Sequence, residues 1–222
     1  MAEVRERWRR ALEDRNFRAH ALATLMVLVP VSMGFASLVG FIEARPGVEL
    51  VDPFLGHLPR ADLTWPIFVL VYASIGTALV SAARLSPRRV VLMFQVWILT
   101  TVFRSVAMFA TPLDDPEGAI VLVDPITTFF FQATSAPTKD LFFSGHTSTI
   151  FILCLTALRP WLRVAFGLGT IAMGLLVLIQ RVHYTIDVLA APFFVYAAFV
   201  LVRRLPGSMA EELSAVSCQP SA

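Results

Sequence analysis

The stretch VAFGLGTIAMGLLVLI, residues 164–179, contains no charged side chain and a single hydroxyl, that of Thr170. With its flanks it forms an apolar run over residues 162–182. At about 1.5 Å per residue, a helix of this length crosses the hydrocarbon core of a bilayer, about 30 Å thick. The whole chain agrees, since 57% of its 222 residues are hydrophobic and only 15% are charged. The stretch therefore predicts a transmembrane helix in an integral membrane protein.

Five further apolar stretches reach or approach the same length. They lie near residues 21–42, 64–83, 90–110, 144–161 and 185–202. Together with 162–182 they predict an all-α integral membrane fold, a bundle of six transmembrane helices. A shorter apolar patch, Phe129 to Phe131, cannot cross a bilayer and is interpreted as an interfacial segment. The first stretch is too long for a cleaved signal and lacks a small-residue cleavage pattern, so it counts as a permanent span.

The basic residues are distributed unevenly across the predicted loops. If the N-terminus is cytoplasmic, 13 of the 18 Lys and Arg residues fall on the cytoplasmic side, as the positive-inside rule requires. Both termini are then cytoplasmic. The expected organisation is a basic N-terminal segment over 1–20, a six-helix catalytic domain over 21–204 and a disordered tail over 205–222. The arginines of the first segment are explained by topology and attraction to anionic lipids, rather than by nucleic acid.

Three polar clusters are predicted to meet at the outer ends of these helices. The first is Arg104, about one turn inside the end of the third span. An arginine there can reach outward or pair with an acidic neighbour. Its functional interpretation is a fixed guanidinium that clamps a phosphate.

The second cluster opens the fourth span with the sequence DLFFSGHT, residues 140–147. Ser144 is expected to cap the helix, and Gly145 lets an anion approach the backbone. The free N–H groups and the helix dipole then favour phosphate. His146 is the candidate proton donor, and Asp140 is a secondary candidate. A helix start with a chance histidine is the alternative interpretation.

The third cluster, HYTID over residues 183–187, lies between the fifth and sixth spans. If this segment is helical, the spacing of four residues places His183 and Asp187 on one face, so that the carboxylate orients the ring. His183 then exposes its other nitrogen as a nucleophile. Tyr184 is a phosphate-binding candidate, and Arg181 is a secondary one.

These groups suit a metal-free phosphoryl transfer. His183 attacks phosphorus, Arg104 and the start of the fourth helix hold the oxygens, and His146 protonates the departing oxygen. No cofactor is expected. A metal held by two histidines and carboxylates is a lower-ranked alternative, because it leaves the phosphate-binding helix start and Arg104 unexplained.

The two ordered motifs resemble those of the type 2 phosphatidic acid phosphatase superfamily, and DLFFSGHT with HYTIDV is most similar to its sphingomyelin synthase branch. The third span adds Phe103 and Arg104 to this resemblance, which runs over about residues 50–196. It implies a six-helix membrane core and a catalytic triad of His146, His183 and Asp187, with His183 forming a phosphohistidine.

The resulting function hypothesis is a lipid phosphotransferase acting between membrane phospholipids and a lipid alcohol such as ceramide or diacylglycerol, on the non-cytoplasmic face. A lipid phosphate phosphatase is the alternative enzyme, although Val177 stands where those phosphatases usually carry an arginine. A small transporter or an inactive relative are the non-enzyme alternatives. A transporter is expected to place its ionisable residues near the midplane rather than at one face. No nucleic-acid partner is expected, and a homo-oligomer is left open.

Overall fold

The computed structural model describes residues 1–124 and 137–205. Seven α-helices account for most of these residues, and a single 3₁₀ turn lies at Leu55–His57. In chain order the helices are α1 (Ala2–Glu13), α2 (Arg15–Ala44), α3 (Thr64–Leu85), α4 (Pro87–Ala110), α5 (Gly145–Thr156), α6 (Pro160–Ile179) and α7 (Thr185–Arg204). The described part of the chain contains no strand, only an isolated bridge between Val48 and Leu113. The patch at Phe129 to Phe131 and the tail beyond 205 lie outside the described residues.

Five of these helices, α2, α3, α4, α6 and α7, are long and apolar enough to cross a membrane. The all-helical prediction is confirmed, and these helices fit an integral multi-pass membrane protein. The fourth predicted span is shorter than expected, because α5 has 12 residues and so measures about 18 Å. It ends at Thr156, and Ala157 and Arg159 have extended backbones. For Arg159 this follows from Pro160, because a residue directly before proline avoids helical dihedrals.

The short helix α5 lies in the middle of the bundle, where it packs against α3, α4, α6 and α7. Its apolar faces are covered on two sides. Ile152 contributes to one buried cluster with Val96 of α4 and Val195 of α7. Ile150 contributes to another with Met173 of α6. Packing against four helices therefore fixes the position of the residues at the start of α5.

The loop between α2 and α3 contacts the loop between α4 and α5 at the end of the bundle where α5 begins. The backbone of Val48 donates to Pro112 and accepts from Asp114, at 3.0 and 3.1 Å. This close approach requires Gly47, because a Cβ there would lie 2.6 Å from the Leu113 carbonyl oxygen. The fully buried side chain of Gln180 also joins the ends of α3 and α6, accepting from the Leu63 N–H at 2.8 Å. The loops therefore form one layer over the helix ends.

At the opposite end, the basic N-terminal segment forms the helix α1, which packs against the bundle. The Trp8 indole donates to the carbonyl of Ala83 at 2.9 Å, and Arg7 donates to that of Arg84 at 2.7 Å. These are carbonyls of the last turn of α3, which have no partner within the helix. Asp14, between α1 and α2, pairs with Arg88 at 2.7 Å. The segment is thus attached to the helices rather than only tethered to α2.

Candidate active site

His183 and Asp187 are in contact, but not through a shared helical face. His183 precedes α7, which begins at Thr185, so the helical spacing assumed from the sequence does not apply. Instead, the Asp187 side chain turns back to cap its own helix and accepts from the Tyr184 N–H at 3.1 Å. The same oxygen lies 3.3 Å from Nδ1 of His183. The capping interaction therefore holds the Asp187 carboxylate beside the imidazole ring of His183.

This pair is deeply buried, with His183 only 4% exposed and Asp187 fully enclosed. A carboxylate in such surroundings favours a proton on the nitrogen that faces it. Nε2 of His183 is then the unprotonated nitrogen, free to act as a nucleophile or base. The other oxygen of Asp187 accepts no hydrogen bond from any residue that the structure describes.

Ser144 caps α5 as the sequence predicts, with its hydroxyl accepting from the Thr147 N–H at 3.4 Å. The cap is also joined to the second motif, because the Ser144 N–H donates to the backbone carbonyl of Asp187 at 3.1 Å. His146, in the first turn of α5, makes an edge-to-face contact with Phe68 of α3 at a centroid distance of 5.9 Å. The two motifs, far apart in sequence, are therefore linked through their backbones.

Arg104 reaches this junction from α4. Its guanidinium pairs with Asp140 at 2.7 Å and donates to the carbonyl of Phe143 at 2.9 Å. It also lies against the backbone of Gly145, where an added Cβ would be 2.7 Å from its Nη1. The acidic partner foreseen as an alternative for Arg104 is therefore present, and the guanidinium still lies at the start of α5.

His146 and His183 line the same cavity, which has a volume of ≈ 410 Å³. Phe68 of α3, Asp140 and residues 119–124 form other parts of its wall. Both histidines thus face one space that is large enough for a phosphorylated headgroup. The structure brings together His146, His183, Asp187, Asp140, Arg104 and the Ser144–Gly145 helix start at one end of the bundle.

Two other candidates have different surroundings. The Tyr184 side chain is buried in the loop layer, where its hydroxyl donates to the carbonyl of Asp114 at 2.9 Å and accepts from the Leu50 N–H at 3.0 Å. Arg181 donates to the carbonyl of Glu117 at 3.0 Å. Neither side chain is part of the cavity wall among the described residues. Both join loops to the site rather than face its interior.

Sequence reasoning missed two carboxylates that hold the site from outside. Asp52, in the first loop, accepts from the N–H of Thr185 at 2.6 Å and so caps the start of α7. Glu43, near the end of α2, accepts from the N–H groups of Thr138 and Lys139 at 3.0 and 3.1 Å. The sequence separations are large, and neither carboxylate forms a local motif with its partner. No pattern in a single sequence could identify them.

The electrostatics of Asp52 follow from these bonds. Burial alone would raise the pKa of this carboxyl, but hydrogen bonds from Thr185, Leu55 and Phe54 outweigh it and hold the pKa below its usual value. Asp52 is therefore a carboxylate at the N-terminus of α7, where a negative charge is favourable.

A metal site was the lower-ranked alternative for these residues. Over residues 1–124 and 137–205, no three His, Cys, Asp or Glu side chains come together in an arrangement that could hold a metal ion.

Residues 139–204 match the family model described as PAP2 superfamily C-terminal. The chain is also 24% identical to a protein of Arabidopsis thaliana named "Phosphatidylinositol:ceramide inositolphosphotransferase 3", over 98% of this chain and 87% of the relative. The matched region includes both motifs and the two histidines of the cavity. The resemblance predicted from those motifs is confirmed, and a lipid phosphotransferase-like or phosphatase-like function is supported.

Proposed function

We propose that the chain is a membrane-embedded lipid phosphotransferase, which the match of residues 139–204 to the PAP2 superfamily C-terminal family model supports. It moves a phospho-headgroup from a phospholipid to a lipid alcohol through a phosphohistidine. The observation that carries this proposal is the shared cavity of His146 and His183, with Nδ1 of His183 held by Asp187. A nucleophile and a proton donor facing one space are what a displacement at phosphorus needs.

In the first step, Nε2 of His183 attacks the phosphorus of the donor lipid. The bond between phosphorus and the diacylglycerol oxygen breaks, and His146 transfers a proton to that oxygen. Diacylglycerol leaves, and the headgroup phosphate stays on His183. Asp187 stabilises the positive charge that develops on the ring, and the Arg104 guanidinium with the first N–H groups of α5 stabilises the phosphoryl oxygens.

In the second step, the hydroxyl of a lipid alcohol attacks the phosphohistidine. His146, now neutral, accepts the hydroxyl proton, and the bond between phosphorus and Nε2 breaks. A new phospholipid leaves, and both histidines return to their starting protonation. Water in place of the lipid alcohol would give hydrolysis, so access of water to the cavity decides between transfer and release of free phosphate.

The name of the Arabidopsis relative supplies the first substrates to test, phosphatidylinositol as donor and ceramide as acceptor. The purified protein would be placed in vesicles containing a fluorescent ceramide, phosphatidylinositol and other unlabelled phospholipids. Mass spectrometry would identify any new lipid that carries the fluorescent backbone. We expect one such product, whose headgroup names the donor.

The matched variants for this assay are His183→Ala and His57→Ala. His57 is an exposed histidine in the 3₁₀ turn, outside the cavity wall. We expect His183→Ala to lose more than about a thousandfold in rate, since removing a covalent nucleophile removes the intermediate, and His57→Ala to keep it. Retained turnover in His183→Ala contradicts the proposal. Free phosphate from phosphatidic acid, with no new fluorescent lipid, would instead assign the chain to the phosphatases.

A further inference from the structure

A second cavity of ≈ 480 Å³ lies between α3 and α6, at the end of the bundle away from the candidate active site. We name it the basic groove, and Arg84, Arg159 and Trp161 are part of its wall. Phe68, which lines the active-site cavity, and Arg84 are both on α3. Sixteen residues of helix separate them, or about 24 Å. The two cavities therefore lie near opposite ends of the membrane-crossing helices.

The groove wall carries two positive charges. The Arg84 and Arg159 side chains are exposed, and neither makes a hydrogen bond or an ion pair with the described residues. No acidic side chain contributes to the groove wall in this part of the chain. Nearby arginines differ, because Arg88 pairs with Asp14 and Arg163 donates to the Ala157 carbonyl at 3.0 Å. An anion between Arg84 and Arg159 would relieve their mutual repulsion.

Apart from the two arginines and the hydroxyl side chains of Thr77 and Ser81, the groove wall is apolar. Val80 is 50% exposed and Trp161 is 58% exposed. Gly76 is also part of the wall and leaves an open recess, since a Cβ added there would meet no atom within 4 Å. Gly76 lies about 12 Å along α3 from Arg84, so the recess extends below the level of the charges. Trp161, in the first turn of α6, is the kind of residue that marks a membrane interface.

We propose that the basic groove binds one phospholipid with an anionic headgroup. Its phosphate lies between Arg84 and Arg159, and one acyl chain follows α3 past Val80 to the recess at Gly76. Basic pockets between transmembrane helices are a recognised means of holding acidic headgroups. The lipid would add to the direct packing of α3 against α6, where Ala82 and Leu162 belong to one buried cluster. The site is separate from the proposed chemistry.

Native mass spectrometry tests this directly. The purified protein would be equilibrated with equal amounts of phosphatidylglycerol and phosphatidylcholine carrying identical oleoyl chains. We expect one phosphatidylglycerol to remain bound in preference to phosphatidylcholine. The double variant Arg84→Gln, Arg159→Gln should bind it about thirtyfold more weakly, since each arginine near a lipid surface is worth about fivefold in affinity.

The control is the double variant Arg5→Gln, Arg18→Gln, which removes the same charge from two exposed arginines outside the groove. We expect it to retain the lipid. The proposal would be overturned if both double variants lost phosphatidylglycerol binding equally. It would also be overturned if the unmodified protein retained phosphatidylglycerol and phosphatidylcholine equally. If the groove variant is poorly folded, Arg159→Gln alone should still weaken binding about fivefold.

Quenching of tryptophan fluorescence tests whether the bound lipid lies next to Trp161. Phosphatidylglycerol with brominated acyl chains should quench the intact protein more than the Trp161→Phe variant, because bromine near Trp161 acts at short range. The same quenching in both proteins would mean that the bound lipid lies elsewhere. Neither measurement uses turnover, so the outcome is independent of the proposed function.

Discussion

Gly145, at the start of α5, lies against the guanidinium of Arg104 from α4. A methyl group there would lie 2.7 Å from Nη1 and 2.8 Å from Cζ of Arg104. The guanidinium would have to move away from the start of α5. We expect Gly145→Ala to reduce activity about a hundredfold, since a displacement of about 1 Å at a reacting centre can cost this much.

The matched control is Gly34→Ala in α2, where an added Cβ meets nothing within 4 Å. Activity and folded yield would be measured for both variants. Unchanged activity in Gly145→Ala would mean that Arg104 does not act on the substrate from this position. A large loss in Gly34→Ala would mean that helical glycines matter for another reason.

Asp52 makes stability depend on pH. Its pKa in the folded protein is below its usual value, so its contribution is complete above the unfolded pKa and is lost as the pH falls through the folded one. We expect Asp52→Asn to lower the melting temperature by about 3–6 °C at pH 6, with a smaller difference near pH 3.

The comparison is Glu49→Gln, which removes an exposed carboxylate from the same loop. Melting curves at both pH values should show little change in that variant. If Asp52→Asn has the same effect at pH 3 as at pH 6, the ionised form of Asp52 is not what stabilises the start of α7.

The residues of the candidate site differ in how well the sequence identifies them. Ser144, His146, His183 and Asp187 lie in short motifs whose chemistry is local, so composition and spacing are enough to select them. Their contacts were harder to foresee. The link between His183 and Asp187 depends on a capping geometry, and a sequence shows only the spacing.

At the scale of whole elements, hydrophobicity predicted five long helices, but it extended the fourth span too far. Residues 157–161 continue the run in composition apart from Arg159, but α5 ends at Thr156 and a separate helix, α6, begins at Pro160. The helical form of residues 2–13 was also not foreseen. Its arginines suggest a charged segment, and only the contacts of Trp8 and Arg7 with α3 show that it packs.

The end of α2 positions a segment that leads into the site. Glu43 accepts from the N–H groups of Thr138 and Lys139, the two residues that precede Asp140. Asp140 in turn pairs with Arg104. We expect Glu43→Ala to lower kcat about tenfold or more, because this segment loses its anchor and the ion pair shifts. Glu43→Gln keeps one acceptor oxygen, so its kcat should lie between those of Glu43→Ala and the unmodified protein.

Steady-state kinetics with circular dichroism distinguish this role from a general loss of fold. Ser37→Ala is the matched change in α2, since its hydroxyl bonds only to its own helix at Met33. A lower kcat with normal helix content in Glu43→Ala supports a positioning role. Identical behaviour of Glu43→Ala and Glu43→Gln would mean that the carboxylate oxygens are not what matters.

At the scale of the molecule, the candidate site and the basic groove lie toward opposite ends of one bundle. His146 and Gly145 begin α5 at one end, and Arg84 and Arg159 lie near the other. Helices that cross a bilayer keep these ends in different compartments. The distribution of basic residues predicts that the end with Arg84 is cytoplasmic and that the cavity with His146 opens to the other side.

Impermeant thiol labelling tests this orientation. After replacement of Cys154 and Cys218, single cysteines would be introduced at the exposed positions Glu117, in the loop layer, and Arg5, in α1. In intact cells or sealed right-side-out vesicles, we expect the Glu117→Cys variant to react and the Arg5→Cys variant to react only after the membrane is opened. The reverse pattern would invert the topology and place the histidines on the cytoplasmic face. Labelling of both positions in sealed vesicles would contradict a bundle whose two ends lie on opposite sides of the membrane.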